Sequence, residues 1–363
     1  MTQTLVPAVR TVLGDVPAHE LGHIQPHEHV LADASLYLEV PEDMPFSDRY
    51  WLDQPVSLEN YQHIRRNPFC CRDNLERFDV AEAIEVVALY KEWGGGTVVD
   101  STSIGLGRDP VGLARVSRAT GVHIVMGGGL YIDPVHPQWT RDVDEGELTD
   151  AFVRDIEVGV NGTGIRCGIL GEIGMSPEPT PAEERGLRAA VSAQRQTGVA
   201  LQIHAVVSGA AKRALDVVVN TGGDPTRTIM AHIDLQSVRP AEVIELAQSG
   251  AWLELDMFGF EQPLLSDGPH GSVSQASDSQ RVEMLLGLIE EGYLDQLLIS
   301  QDLAMKMQTT KYGGEGLQHI LENVFPLAQS MGMTTDQLHQ LTRVNPAHAL
   351  SLSPGRAPAA HTT

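Results

Sequence analysis

"GILGEIGMS", residues 168–176, is a short apolar run carried onto a carboxylate, Glu172, which is followed directly by Ile173 and Gly174. The run reads as a buried β-strand, and an unpaired carboxylate at the end of such a strand costs several kcal/mol. Glu172 therefore needs positive partners, and the search for them decides the fold.

Similar runs recur along the chain. "LGHIQPHEHV" (21–30), "GTVVDSTS" (96–103), "GVHIVMGGGL" (121–130) and "GIRCGILGEIG" (164–174) come first. "VALQIHA" (199–205), "RTIMAHID" (227–234), "AWLELDMFG" (251–259) and "LDQLLISQD" (294–302) complete a set of eight. Helix-length amphipathic segments separate most of them, which implies parallel βαβ units. "PTPAEERGLRAAVSAQRQTG" carries Thr180 as N-cap, Pro181 in the first turn, Glu183 to complete a capping box and Gly198 as stop. "VNPAHAL" offers Asn345 as a cap and Pro346 as the first helical residue. Eight strands with no Gly-x-Gly-x-x-Gly fingerprint predict a closed (β/α)8 TIM barrel, with a doubly wound open sheet as the alternative.

Residues 1–353 fit one such barrel, and "SPGRAPAAHTT" lacks any apolar pattern, so residues 354–363 are expected to be a flexible tail. "VRTVLGDVPAHELG" predicts a short N-terminal hairpin turning at Gly14-Asp15. Two long loops are expected over one face: residues 31 to about 78 after the first strand, and 258–279 after the seventh.

A formal charge of −23 argues against nucleic acid or an anionic membrane as partner, since both need Lys/Arg patches. It fits a small-molecule substrate. No stretch is long and apolar enough to span a bilayer, and "MTQTLVPAVR" lacks the pattern of a signal peptide. The three cysteines, Cys70, Cys71 and Cys167, form no disulfide framework. A reducing cytoplasm is the expected setting, with Cys70 and Cys71 as small buried hydrophobes.

The partners of Glu172 emerge from the other strand ends. The first strand ends in His27-Glu28-His29, the fifth in His204, the sixth in His232 and the eighth in Asp302. In a parallel barrel all C-terminal strand ends meet at one face. Alternation along the first strand turns His27 and His29 the same way and Glu28 the other. Each piece alone has an ordinary structural reading: a core histidine, or an aspartate capping the next helix. Four imidazoles and two carboxylates meeting at one face are a metal-ligand set, too rich for a single four-coordinate ion. His and carboxylate ligands without Cys suit Zn²⁺ or neighbouring divalent ions. Two ions about 3.5–4 Å apart, with Glu172 bridging, use the set economically.

The order His-x-His, Glu, His, His, Asp resembles the amidohydrolase superfamily, and the surrounding segments resemble its phosphotriesterase-related branch. "PHEHV" (26–30), "GGGTVVDSTSIGLGRDP" (94–110), "GILGEIG" (168–174), "AHID" (231–234), "SQD" (300–302) and "VNPAHAL" (344–350) carry the likeness over nearly the whole chain. The resemblance implies that His27 and His29 hold the first metal with Glu172 and Asp302, and that His204 and His232 hold the second. It also implies that Tyr131 is an aromatic pocket residue; packing in the core or a loop is the alternative reading of the residue itself. Members active on organophosphate triesters bridge their metals with a carboxylated lysine, whereas this chain has Glu172. The acidic and His residues that follow the sixth and seventh strand ends in those members are here Leu235 and Met257.

The expected reaction is hydrolysis of a small carboxylic ester, lactone or amide by a metal-bridging hydroxide, with Asp302 moving the proton to the leaving group. The alternative is a phosphoesterase, either a phosphotriesterase or a metal-dependent barrel nuclease, the latter needing a basic groove that this charge does not advertise. A metal-binding barrel without catalysis would have lost a ligand, and none is missing. Asp100 and Asp234 are candidate acceptors for the outer nitrogens of the imidazoles. Asp256 faces either the pocket or a neighbouring backbone. Arg166 belongs in an ion pair at the barrel floor, being roughly 20 Å down the strand from Glu172. Arg108 serves either a substrate acid or the next helix, His270 faces solvent, and a homodimer is plausible for barrels of this type.

Overall fold

Each of the eight runs forms a strand of one parallel sheet in the computed structural model. In chain order the barrel strands are His23–Glu28, Gly95–Asp100, His123–Gly128, Ile169–Gly174, Ala200–His204, Thr228–Met230, Trp252–Leu255 and Leu297–Ile299. They pair sequentially from first to eighth. The eighth returns to the first through Asp302, whose N–H donates to the His27 carbonyl at 3.1 Å, and through Ser300 Oγ, which accepts from the His27 N–H at 2.9 Å. Helices wrap the sheet, and the chain is a (β/α)8 TIM barrel. The structure describes residues 7–38, 40, 46–235, 239–261, 265–266, 272–273 and 275–352.

Local signals place the helices. Asp109 caps Pro110–Thr120, and Gly121 ends it in the left-handed region at φ 68°. Thr180 and Glu183 form the expected capping box on Pro181–Thr197, with Gly198 at φ 73° as its stop. Asn345 departs from expectation. Residues 335–350 run on as one helical stretch, widened over Gln340–Val344 into a π-type turn two residues ahead of Pro346. The wider turn accommodates a proline that cannot donate to the helical ladder. Asn345 is thereby freed to donate to the Leu294 and Leu297 carbonyls, 2.8 Å each, tying the helix to the eighth strand.

The hairpin forms from Ala8–Thr11 and Gly14–Pro17, turning at Val12-Leu13 so that Gly14-Asp15 opens the second strand. Val9 packs with one residue from each barrel strand: Ile24, Val99, Val125, Ile169, Ala200, Ile229, Trp252 and Leu298. This ring fills the N-terminal end of the barrel. Arg166 bonds Asp15 of the hairpin at 3.1 Å, the floor ion pair expected of it. Above the ring lies a polar layer, in which Ser101 donates to Gln202 Oε1 at 2.8 Å and Gln202 Nε2 donates to Glu254 at 2.7 Å. The excursion after the first strand is closed by antiparallel pairing of Ala32–Asp33 with Glu76–Arg77. Of the loop after the seventh strand, Leu265–Ser266 pairs with Ser272–Val273, while His270 and the tail 354–363 lie outside the described residues.

Candidate metal centre

Two strands change phase just below the site. Between Gln25 and Glu28 the pairing of the first strand with the second is irregular, and between Leu170 and Ile173 so is that of the fourth with the fifth. Ile24 and Ile169 belong to the floor ring, so strict alternation would turn His27 and Glu172 outward. The irregularities turn them in. Gly127 and Gly171 lie in such close approach that a Cβ on Gly127 would sit 2.1 Å from the Gly171 carbonyl oxygen. His232 and Asp302, just beyond the sixth and eighth strands, are swung inward by left-handed backbone at φ 61° and 47°. Such conformations are uncommon outside glycine and cluster at functional sites.

The six side chains singled out in the sequence come together. Glu172 lies between two pairs of imidazoles. Its Oε1 is 3.2 Å from His29 Nε2, and its Oε2 is 3.5 Å from His27 Nε2, 3.0 Å from His204 Nδ1 and 3.5 Å from His232 Nε2. Asp302 Oδ1 stands 3.2 Å from His29 Nε2 and 3.9 Å from His27 Nε2. His204 Nδ1 and His232 Nε2 face each other at 2.8 Å. Overlapping groups of possible ligands result, among them His27, His29 and Glu172; His27, His232 and Asp302; and Glu172, His204 and His232.

Asp256, at the end of the seventh strand, orients the set. One oxygen receives His27 Nδ1 and the other His232 Nδ1, each at 2.9 Å. With Nδ1 carrying the proton to Asp256, Nε2 of each ring presents a lone pair to the site. His27 Nε2 is buried and has no hydrogen-bond partner, which a cation would supply. Asp234, expected in the orienting role, does something else. It receives Arg281 Nε at 2.7 Å and the Met257 N–H at 3.1 Å, so its carboxylate braces the loop that follows Asp256. Asp100 acts one step removed, through Thr102, whose hydroxyl lies 3.0 Å from His29 Nδ1 and 3.2 Å from Asp100 Oδ1. Asp256, which the sequence leaves between the pocket and a neighbouring backbone, is the orienting acceptor; its alternation with Glu254 in "LELD" puts both carboxylates on one face of the seventh strand.

The electrostatics favour positive charge at this point. Burial works against protonating His29, yet Asp302 and Glu172 push its pKa up to about 9. His27 and His232 are likewise driven well above the ordinary imidazole range against their burial, with Asp256 and Glu172 responsible. Burial opposes ionisation of Glu172, and the imidazoles of His204, His232 and His27 nevertheless hold it well below the usual carboxylate range. His204 is the exception: burial outweighs the pull of Glu172 and lowers its pKa. The carboxylates that draw protons onto the other three imidazoles also attract metal cations.

Outward of the six lies a cavity of about 90 Å³. Tyr131, Leu235 and Met257 line it, together with Tyr37 and Phe69 from the excursion after the first strand. The Tyr131 hydroxyl is 3.3 Å from His204 Nδ1 and 3.2 Å from Nε2, and it also bonds the Tyr37 hydroxyl. Arg108 is occupied elsewhere, paired with Asp155 at 2.8 Å. All three cysteines are buried. No helix among the described residues is long and apolar enough to cross a membrane.

Comparison with known proteins agrees with this geometry. The model of the phosphotriesterase family matches residues 7–350. An N-acetyltaurine hydrolase of Danio rerio is 36% identical over 350 residues, covering 94% of this chain and 97% of the relative. Among solved structures, a resiniferatoxin-binding protein from Rhodobacter sphaeroides superposes with a TM-score of 0.89 at 33% identity, over 96% of this chain and 97% of that one. A mutant of a phosphotriesterase-like lactonase from Deinococcus radiodurans gives 0.72 at 26% identity, over 94% and 100%. The His-x-His, Glu, His, His, Asp order, the barrel that gathers it and the full-length match together make this chain a member of the phosphotriesterase family, a branch of metal-dependent hydrolases.

Proposed function

We propose that residues 1–353 act as one dinuclear hydrolase of a small carboxylic ester, lactone or amide. The single observation that carries this is the position of Glu172, within 3.5 Å of a ring nitrogen from each of four imidazoles. His27, His29, Glu172 and Asp302 would hold one divalent cation, and His204, His232 and Glu172 a second. The donor set of imidazole and carboxylate, without thiolate, suits Zn²⁺. When bound, the cations supply Lewis acidity toward a carbonyl oxygen and lower the pKa of water.

The chain's own residues do the rest. Asp302 is the member of the set most open to the cavity, its side chain 21% exposed. Burial opposes its ionisation, but the hydrogen bond to His29 and the nearby imidazoles hold its pKa below the ordinary aspartate value. At neutral pH it is therefore a carboxylate, able to take a proton from the attacking water on Oδ and hand it to the departing oxygen or nitrogen. Asp256 fixes the His27 and His232 rings, and Tyr131, from the third strand end, contacts the substrate. Phe69, Leu235 and Met257 supply an apolar wall that keeps bulk water away from the reacting group.

Carboxyl derivatives are preferred to phosphotriesters because two relatives are named for cleaving an amide and a lactone, and because Glu172 stands where triesterases use a modified lysine. A reducing cytoplasm suits the three buried thiols. The test is metal analysis of the purified chain, followed by chelator-reversible assays on lactones, carboxyl esters, acyl amides and phosphotriesters. Two divalent ions per chain and turnover of a carboxyl substrate are expected; turnover of phosphotriesters alone overturns the proposal.

A further inference from the structure

The relatives named for N-acetyltaurine hydrolysis act on a molecule that ends in a sulfonate, and burying a sulfonate calls for a cation. Among the described residues no Lys or Arg lines the cavity. The undescribed residues between 39 and 274 contain none either. Three basic side chains on elements flanking the cavity are committed to other partners. Arg281, wholly buried, is paired with Asp234 at 2.7 Å and Asp278 at 3.1 Å. Arg77 donates to the backbone carbonyls of His29 and Leu303 at 2.6 and 2.8 Å. Lys306 is paired with Asp73.

Among the described residues that line the cavity, Gln275 carries a buried amide N–H with no partner. The residue is 5% exposed. Its Oε1 accepts from Arg281 Nη2 at 3.3 Å, and its Nε2 is buried without a hydrogen-bond partner. The orientation of this amide follows from chemistry. A guanidinium only donates, so the amide oxygen must face Arg281 and the NH₂ must face away from it. A buried amide N–H left without a partner costs free energy unless a ligand supplies an acceptor.

We propose that Gln275 is a specificity-determining residue that donates a hydrogen bond to an uncharged acceptor oxygen of the substrate, and that the preferred substrate is a neutral ester, lactone or amide. This rests on the hydrolase reading above and narrows its substrate class. The net charge of −23 acts in the same direction by repelling anions at long range.

The test uses the metal-loaded full chain and matched acyl esters and amides that end in a methyl sulfone, a sulfonate or a plain alkyl group. The sulfone should exceed the sulfonate in kcat/KM by about a hundredfold or more, as expected when a charge meets no partner in a dry site. Non-cleavable ketone analogues should raise Tm in the same order. Gln275→Leu should raise KM for the sulfone roughly two- to tenfold, the worth of one neutral hydrogen bond, with a smaller change in kcat and a smaller rise for the alkyl substrate. Gln275→Glu keeps an oxygen on Arg281 while removing the donor, so it should give the same loss if the leucine variant does not fold. Preference for the sulfonate, or an unchanged KM for the sulfone in both variants, overturns the inference while leaving the hydrolase reading standing. Failure to cleave any carboxyl substrate with both metals bound overturns the two together.

Discussion

The two ends of the barrel are built from the same eight strands yet obey opposite rules. At the N-terminal end each strand contributes one apolar side chain to a ring closed by Val9, held by dispersion contacts. At the C-terminal end alternation fails on the first and fourth strands, and His232 and Asp302 adopt left-handed backbone beyond the sixth and eighth. Buried carboxylates and imidazoles crowd into a few ångströms there. The floor is an apolar ring whose role is packing. The mouth departs from regular strand geometry, and the layers beneath hold those departures in place.

That contrast can be broken from the top down. Glu172→Gln should have the largest effect. It removes the shared charge, so metal content and turnover should collapse together, by at least on the order of 10³-fold in rate, as when a charge-stabilising group is removed. Full metal loading with retained activity would remove Glu172 from the centre. Asp256→Asn should come next, since one of its two imidazole partners then meets an NH₂ donor in place of the acceptor that fixes its tautomer. Titration of metal into the apo variant should show affinity lower by about 10–100-fold. Asp234→Asn should leave that affinity closer to wild type, because Asp234 braces Arg281 and the loop rather than a ring. Leu298→Ala belongs at the other end and should have the smallest effect on turnover. Denaturant melts should show a loss of about 2–5 kcal/mol, with kcat/KM and metal content per folded molecule unchanged. A floor variant that altered metal affinity would show that the two ends are not independent.

Much of this was legible in the chain. Eight β-like runs of apolar residues, capped helices between them and chemistry-bearing residues at their ends were enough for the barrel and for the six side chains, because a parallel barrel brings every strand end to one rim. Other features were not legible. Asp234 and Asp256 both end strands in the same stretch, and only the position of Arg281, from the next helix, takes Asp234 away from the rings. Asn345 looked like a helix cap, but the preceding π-type turn carried the helix through it and gave its amide to the eighth strand. Gln275 carried no motif at all; its meaning comes from a guanidinium behind it and a cavity in front.

The sequence by itself determined the periodicity of the strands, the caps and the identity of the potential ligands, because these depend on residues near one another along the chain. Tertiary structure alone decided which way His27 and Glu172 face, which aspartate orients the imidazoles and which side of the Gln275 amide meets Arg281. Those outcomes depend on register irregularities and on pairings between groups distant in sequence, whose energies exist only once the barrel has closed and excluded water.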